Sequence, residues 1–312
     1  MAKVLFIRGG AVGDFILTLP AIQLVHDHLP ECEIEVLGYP NIAELAVSAG
    51  LASRVKSIEH AALAPFFAPG AVLDEELCGY FSSFDLVISY LFDPDGIFQS
   101  NLTRAGVETL FCGPYRMNET HGPEHAAFQL AKPLESLALY LRDPWVELSY
   151  SQTESTELPK SCSRREIFLH PGSGSPAKNW SFESWINVLT GIAIRHPETH
   201  FNIISGEAEH EVIGEFLALL NQTACSYHHL NDRPLCELGS LVGTGDFFLG
   251  HDSGISHLAA STGIAGLVLF GPTNPKVWAP AHPNFVYLQT SNRSLAEISP
   301  LMVEERLLSA GF

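Results

Sequence analysis

Four short stretches combine chemistry-bearing side chains with glycine turns that bare the backbone: Arg8 to Asp14, His170 to Trp180, Gly250 to Ala260 and Phe270 to Pro275. The third stretch holds Asp252, Ser253, Gly254, Ile255 and His257 between the apolar run Phe247 to Leu249 and the small-residue segment Ile255 to Ser261. That pattern reads as a buried strand, a tight turn and a helix start. Ligands of open α/β sheets sit at the carboxyl ends of strands, where helix starts present unpaired N–H groups and partial positive charge. An anion suits such a junction, and the plainer role for Asp252 or Ser253 is to cap the helix.

The stretch His170-Pro171-Gly172-Ser173-Gly174-Ser175-Pro176-Ala177-Lys178-Asn179-Trp180 also follows an apolar run. Its glycines and serines can turn backbone N–H groups toward phosphate oxygens, with Lys178 adding charge. It lacks G-K-[ST], so it is no P-loop, and by itself it suits ordinary turn chemistry as well as phosphate. Phe270-Gly271-Pro272-Thr273-Asn274-Pro275 is a third polar turn at a strand end. Three such loops together outline a nucleotide or diphosphate pocket.

The first stretch looks at first like a dinucleotide fingerprint. Arg8 stands where its first glycine belongs, however, and Gly38-Tyr39 replaces the acidic residue after the second strand. The nicotinamide reading fails on both counts. What remains is a turn through Gly13 that presents Asp14 at a helix start, either as an N-cap or as a general base toward a bound hydroxyl.

Alternating elements must position these loops. Apolar runs predict strands at Lys3 to Arg8, Glu33 to Leu37, Val55 to Ile58, Leu86 to Leu91 and Thr109 to Cys112. Helical spacing covers Phe15 to His28, with Pro20 either a kink or a first turn, then Asn41 to Ala49 and Ala126 to Leu141. No period emerges between Ala61 and Gly79. A polar stretch, Ser149 to Arg165, has little to bury and reads as a linker between domains 1–153 and 154–312. Beyond it come strands Glu166 to His170, Phe201 to Ser205, Phe247 to Leu249 and Gly266 to Phe270, with helices Phe182 to Arg195, Glu207 to Leu220 and Cys236 to Val242. The repeating βα pattern is that of an α/β protein with parallel sheets, and two such halves imply a cleft that holds a ligand.

The 312 residues are 46% hydrophobic, enough for packed cores, and 17 Lys+Arg against 35 Asp+Glu give a net charge of -18. That charge argues against nucleic acid and against broad docking on anionic lipid. No apolar run nears the roughly 18 residues of a membrane span, so no transmembrane segment is expected. Six scattered cysteines without a C-x-x-C pair suggest thiols in a reducing compartment and a cytoplasmic protein.

The turn GAVGD followed by Leu19-Pro20-Ala21, then HPGSGSPAKNW, HDSGISHLAAS and FGPTNP, in this order and spacing, resembles glycosyltransferase family 9, the heptosyltransferases of the lipopolysaccharide inner core. The likeness runs over nearly the whole chain. It implies the GT-B fold: two Rossmann-like domains facing across a cleft, the acceptor mainly on the first and the nucleotide sugar mainly on the second. Asp14 stands at the family's base position. Ser253, Gly254 and Ile255 would offer N–H groups to the diphosphate, Asp252 and His257 would help hold the donor, Lys178 would lie beside it, and Ser173, Gly174 and Thr273 would line its loops. The sequence departs from the family at Asn202, at His228-His229 and at Tyr90-Leu91-Phe92-Asp93.

The activity so implied is an inverting transfer of a sugar, heptose from ADP-heptose in the family, to a lipopolysaccharide-core-like saccharide. The lipid-linked acceptor would be met at the inner face of the cytoplasmic membrane. Asp14 would take the hydroxyl proton while helix starts and Lys178 meet the leaving diphosphate, so neither metal nor cofactor is expected beyond the nucleotide-sugar donor. Asp93-Pro94-Asp95 matches the D-x-D metal motif of another transferase fold, but its Pro-Asp-Gly context is a turn signature. Asp93, Asp95, His121 and His125, with Gly13, are candidates for the acceptor wall, and a helix start or a solvated histidine is the plainer role for the two histidines. A non-catalytic nucleotide-sugar-binding relative and a nucleotide-sugar epimerase are the competing readings.

Overall fold

A computed structural model describes residues 1–120, 122–150 and 164–310. The chain divides into two compact units, Met1–Val146 and Glu147–Phe312. The first runs β1 (Lys3–Arg8), α1 (Val12–Ile16), α2 (Leu19–His28), β2 (Glu33–Gly38), α3 (Pro40–Ser48), β3 (Arg54–Ser57), α4 (Glu75–Ser82), β4 (Leu86–Ser89), α5 (Ile97–Arg104), β5 (Leu110–Cys112) and α6 (Ala126–Ala131). The second runs β6 (Arg165–Leu169), α7 (Phe182–Arg195), β7 (Thr199–Ser205), α8 (Ile213–Leu220), β8 (Ser226–Asn231), α9 (Leu235–Val242), β9 (Phe247–His251), α10 (Gly254–Ala260), β10 (Ala265–Leu269), α11 (Pro275–Trp278), β11 (Phe285–Leu288) and α12 (Pro300–Ser309).

Both sheets are parallel, in the orders β3-β2-β1-β4-β5 and β11-β10-β9-β6-β7-β8. Each chain segment starts in mid-sheet, winds outward, then returns to the other side of its first strand. The order therefore reverses between β1 and β4, and again between β6 and β9. Those reversals leave a crevice at the strands' carboxyl ends, the usual ligand position of a doubly wound sheet. Central strands are buried on both faces, and accordingly β1, β4 and β9 read as continuous apolar runs.

Helix α7 shows why the loop before it is well placed. Trp185, Val188, Leu189 and Ile192 recur at helical spacing and pack into the core beneath β6, β7 and β9. The hydroxyl of Ser181 accepts the N–H of Ser184 at 3.2 Å and so starts the helix. The His170 to Trp180 loop is thus pinned between a central strand and an anchored helix.

Several expected elements differ. Pro20 lies in the first turn of α2, where its missing N–H is harmless, and a separate short α1 precedes it. The helix expected over 126–141 stops at Ala131 and continues as a 3-10 turn, Lys132–Leu137, because Pro133 cannot donate to the α-helical ladder. The strand expected over 86–91 ends at Ser89. The helix expected over 207–220 is a 3-10 turn, Glu207–Glu209, followed by α8. The aperiodic 61–79 region holds a 3-10 helix, Ala61–Phe67, and the start of α4. Most of the expected linker, the 153/154 boundary within it, His121 and Cys162 lie outside the described residues.

Candidate functional site

The three polar loops of the second unit meet at Asp252. Its Oδ2 accepts the Nζ of Lys178 at 2.7 Å and the Oγ1 of Thr273 at 2.7 Å. The carboxylate side chain is 8% exposed and that of Lys178 31%. One carboxylate thereby ties the loops that follow β6 and β10 to the end of β9. The third loop is braced from behind by Gln289, whose Nε2 donates to the carbonyls of Gly271 and Thr273, each at 2.8 Å.

A second, buried layer lies around His170, which is 4% exposed. Its Nδ1 is 3.2 Å from the Oγ of Ser253 and its Nε2 is 3.5 Å from Oε2 of Glu209. Glu209, 4% exposed, also accepts the N–H of Gly206 at 2.9 Å. Burial pushes its carboxyl upward, but His170 and the N–H donors of Gly206 and Glu209 outweigh burial and hold it below the usual carboxylate range. Gly172 is required here, because a Cβ would stand 2.3 Å from Cγ of Glu209.

His251, wholly buried at the end of β9, is the keystone of the loop. Its Nε2 accepts from the N–H of Trp180 at 2.8 Å and from the indole N–H of Trp185 at 3.3 Å. With Nε2 an acceptor, Nδ1 carries the proton and donates to the Gly172 carbonyl at 3.4 Å. Burial, aided by His170, pushes its pKa down to about 3, so the ring is neutral.

The expected donor residues fall in three roles. Ser253 caps α10, its hydroxyl accepting from the N–H of Ser256 at 3.4 Å, while Gly254 and Ile255 form the helix's first turn. His257 is buried on the same helix. Ser173 turns inward, its hydroxyl within reach of the Ser175 carbonyl at 2.9 Å and Oδ1 of Asn179 at 2.7 Å, so its side chain shapes the loop. Gly174 is exposed.

In the first unit, Asp14 sits in the third position of α1. Its Oδ2 accepts the N–H of Ala11 at 3.1 Å and its Oδ1 is 3.4 Å from the guanidinium of Arg8. Arg8 is 6% exposed, also donates to the Asp14 carbonyl at 3.3 Å, and lies 5.7 Å from the ring centre of buried Tyr90. Burial lowers the Arg8 pKa, with Asp14 and Tyr90 opposing. Gly10, at φ +105°, leaves the space that Asp14 fills, since a Cβ there would stand 2.9 Å from Oδ2. Gly13 lies within α1, its carbonyl accepting from Leu17.

The remaining expected residues are mostly helix caps. Asp93 accepts the N–H of Phe98 through Oδ1 at 3.2 Å and that of Gln99 through Oδ2 at 2.9 Å, starting α5. His125 caps α6 through Nδ1, 3.3 Å from the N–H of Ala127. Asp95 is exposed in the turn. Asp93 also lines a cavity of about 110 Å³ at the ends of β4 and β5, with Ser89, Gln99, Cys112 and Tyr115. Among the described residues, no group of three or more His, Cys, Asp or Glu is placed to hold a metal ion, and no helix is long and apolar enough to cross a membrane.

Asn202, a family departure, is fully buried and donates to Oε2 of Glu166 at 2.8 Å, a contact inside the sheet. His229 meets the hydroxyl of Ser205 at 2.7 Å. Sequence reasoning passed over Arg8, Glu209, His251 and Gln289. A charged residue closing a buried strand, as Arg8 does, was the available signal for one of them.

Two doubly wound parallel units, one with a polar three-loop cluster at its switch point, define a doubly wound α/β protein. The sequence model of glycosyltransferase family 9 (heptosyltransferase) matches residues 125–305, and the chain belongs to that family of glycosyltransferases. The fold is similar to that of a family 9 glycosyl transferase from Veillonella parvula (TM-score 0.78, 16% identity, 99% of this chain and 97% of that one). It is also similar to the E. coli ADP-heptose lipopolysaccharide heptosyltransferase II (0.76, 18%, 99% and 98%) and to the E. coli heptosyltransferase WaaC with ADP (0.70, 18%, 99% and 99%). The fold class is therefore GT-B, as the motifs implied. No curated protein sequence gives a significant match.

Proposed function

We propose that this glycosyltransferase is an inverting, metal-independent enzyme that moves heptose from ADP-heptose to a lipopolysaccharide-core-like saccharide. The second unit binds the donor and the first the acceptor. The observation that carries the reading is the junction at Asp252, where Lys178 and Thr273 converge at the sheet's switch point. Clustered polar groups on three converging loops at that point suit a nucleoside diphosphate better than any one loop alone.

In this mechanism the Asp14 carboxylate takes the proton of an acceptor hydroxyl as its oxygen attacks the anomeric carbon. The bond to the diphosphate breaks on the opposite face, inverting the configuration, through a transition state with oxocarbenium character. The positive charge of Lys178 meets the negative charge that grows on the departing diphosphate. Arg8 and the Ala11 N–H orient Asp14 for its part. The acceptor is met at the inner face of the cytoplasmic membrane by local contact, since the overall charge of -18 repels anionic lipid.

The test is a transfer assay with ADP-, UDP-, GDP-, CDP- and dTDP-sugars, preceded by thermal shift. A true donor at about 100 times its dissociation constant adds roughly 2.7 kcal/mol of stability. Formation of an α/β-inverted glycoside from the ADP-sugar is the expected result. Binding without transfer to any core saccharide would favour the non-catalytic reading, and an epimer formed without acceptor would favour the epimerase.

A further inference from the structure

We propose that the cavity at the ends of β4 and β5 is a subsite for one uncharged sugar ring of the acceptor, with Phe92 and Tyr115 as the platform on which that ring stacks. The proposal rests on the acceptor role argued above for the first unit. It adds the chemistry of the sugar and the side chains that select it.

The strands set the cavity's place. β4 lies between β1 and β5, with Ile7 opposite Ser89 and Ser89 opposite Cys112, so the cavity opens on the same carboxyl-end edge as the Asp14 turn. Leu91, in the cavity wall, lies against Gly9 of that turn, where a Cβ would stand 3.6 Å from its Cδ2. Tyr90 links the two places from beneath. Arg8, the partner of Asp14, lies 5.7 Å from the Tyr90 ring centre, and the same ring fills the space in which a Cβ at Gly113 would stand, at 2.3 Å. The Tyr90 hydroxyl donates to the Leu130 carbonyl at 2.8 Å and so fixes the ring. A sugar held in the cavity is held on the edge that carries the base.

The rim is aromatic. Phe92 and Tyr115, from the loops after β4 and β5, pack with ring centres 4.6 Å apart and planes at 60°, yet they are 62% and 44% exposed. Two touching aromatic rings left in water at the mouth of a cavity mark a binding surface more than a core. The C–H face of a pyranose is flat and apolar, and it covers such rings while the sugar hydroxyls stay free. Polar groups inside suit those hydroxyls. Ser89 is buried, its oxygen accepts the N–H of Leu91 at 3.4 Å, and its hydrogen meets no acceptor among the described residues. The exposed Gln99 stands in the same wall, so an O–H and an amide face what a hydroxyl both donates and accepts.

Charge decides what the ring can carry. No Lys or Arg lines the cavity, and the Asp93 carboxylate in its wall is held by the N–H groups that start α5. Arg116 lies outside the lining, its guanidinium 5.8 Å from the ring centre of Tyr115. A phosphate or carboxylate on the sugar would meet a negative charge in the wall and no positive one. A space of about 110 Å³ also limits the cavity to one sugar rather than a chain of them.

The test uses Cys112, the exposed thiol of the lining, as a reporter in the full chain. Its alkylation by iodoacetamide, read by mass spectrometry of the Cys112 peptide, is followed with an excess of the methyl glycosides of glucose, galactose, mannose and heptose, and of their phosphomonoesters. At least one uncharged glycoside is expected to slow labelling of Cys112 severalfold without slowing the partly buried Cys225 and Cys236, and its phosphomonoester is expected not to. In transfer assays F92A and Y115A should each raise the KM for that glycoside about tenfold with the donor KM unchanged, while F92W and Y115F, which keep a ring, should stay close to wild type. Protection by no uncharged glycoside, equal protection by the phosphorylated ones, or an unchanged KM in both alanine variants overturns the subsite. Protection without transfer from any nucleotide sugar would leave the sugar site standing and count against the transfer reading.

Discussion

Lys178 and Asp252, 74 residues apart in sequence, meet at 2.7 Å, and the lysine keeps about a third of its side chain in solvent while the carboxylate is nearly enclosed. The two partners therefore have separable duties. Asp252 holds the three loops together, and Lys178 presents charge outward.

Substitution should split these duties. D252A removes the acceptor of two hydrogen bonds from an enclosed site, and a loss of about 1.5–3 kcal/mol in unfolding free energy is expected, together with weaker nucleoside diphosphate binding. K178M breaks a partly exposed pair, for which ~0–1 kcal/mol of stability is at stake, yet it should cost diphosphate affinity at least as much. Urea denaturation paired with ADP titration measures both. Equal stability losses in the two variants would contradict the division.

At the other site, Gly10 and Asp14 are tied sterically. G10A places a Cβ 2.9 Å from Oδ2 of Asp14 at a φ of +105°, so a destabilisation of roughly 1–3 kcal/mol is expected, with lower kcat because the carboxylate is displaced. D14N should reduce transfer by about 10²–10⁴-fold, the range for loss of a general base, while leaving ADP affinity as in wild type. Full transfer activity in D14N would remove Asp14 from the mechanism.

The fold was legible where burial is strong. β1 and α7 match their sequence-derived limits residue for residue, because both carry dense apolar patterns between clear breakers. The strands left unassigned, β8 and β11, are the two edges of the second sheet, where Ser226–Asn231 is largely polar and no residue of Phe285–Leu288 is fully buried. Edge strands answer to backbone pairing more than to side-chain pattern, so little in the sequence marks them. The loops of the site were legible from glycine, serine and charge. Their braces were not, since Glu209 meets His170 and Gln289 meets Gly271 only after the chain has folded.

Buried histidines make the second unit sensitive to acid. His251 has a folded pKa near 3 through burial and the neighbouring His170, against about 6.5 in an unfolded chain. Between those values the unfolded state binds the extra proton, so stability falls as pH drops below about 6.5, by up to ~1.4 kcal/mol per pH unit, and the loss is complete near 3. His200, pushed down to about 4 by burial and Arg164, and His229, also lowered, act with the same sign. Glu209, held below the usual carboxylate range, adds its loss only at lower pH. H251N removes one titrating group, and its urea midpoint should fall less steeply than that of the wild type between pH 7 and 4. Parallel slopes would show that His251 is not the linked group.

The Asp93-Pro94-Asp95 turn can be judged by what its carboxylates already do. Both oxygens of Asp93 accept backbone N–H groups at the start of α5, and Gly96 takes the left-handed φ of 65° that lets the turn enter the helix. A carboxylate so engaged would have to release the helix start before binding a cation, and D93A should behave as a lost cap, at about 1 kcal/mol of stability. Transfer rate is expected to be unaffected by EDTA and by added Mg²⁺ or Mn²⁺, and the acceptor KM of D93A should stay within about twofold of wild type once measured well below its melting temperature. A transfer rate abolished by EDTA and restored by Mn²⁺ would instead make the reaction metal-dependent, and a several-fold rise in acceptor KM for D93A would make the cap a substrate contact as well.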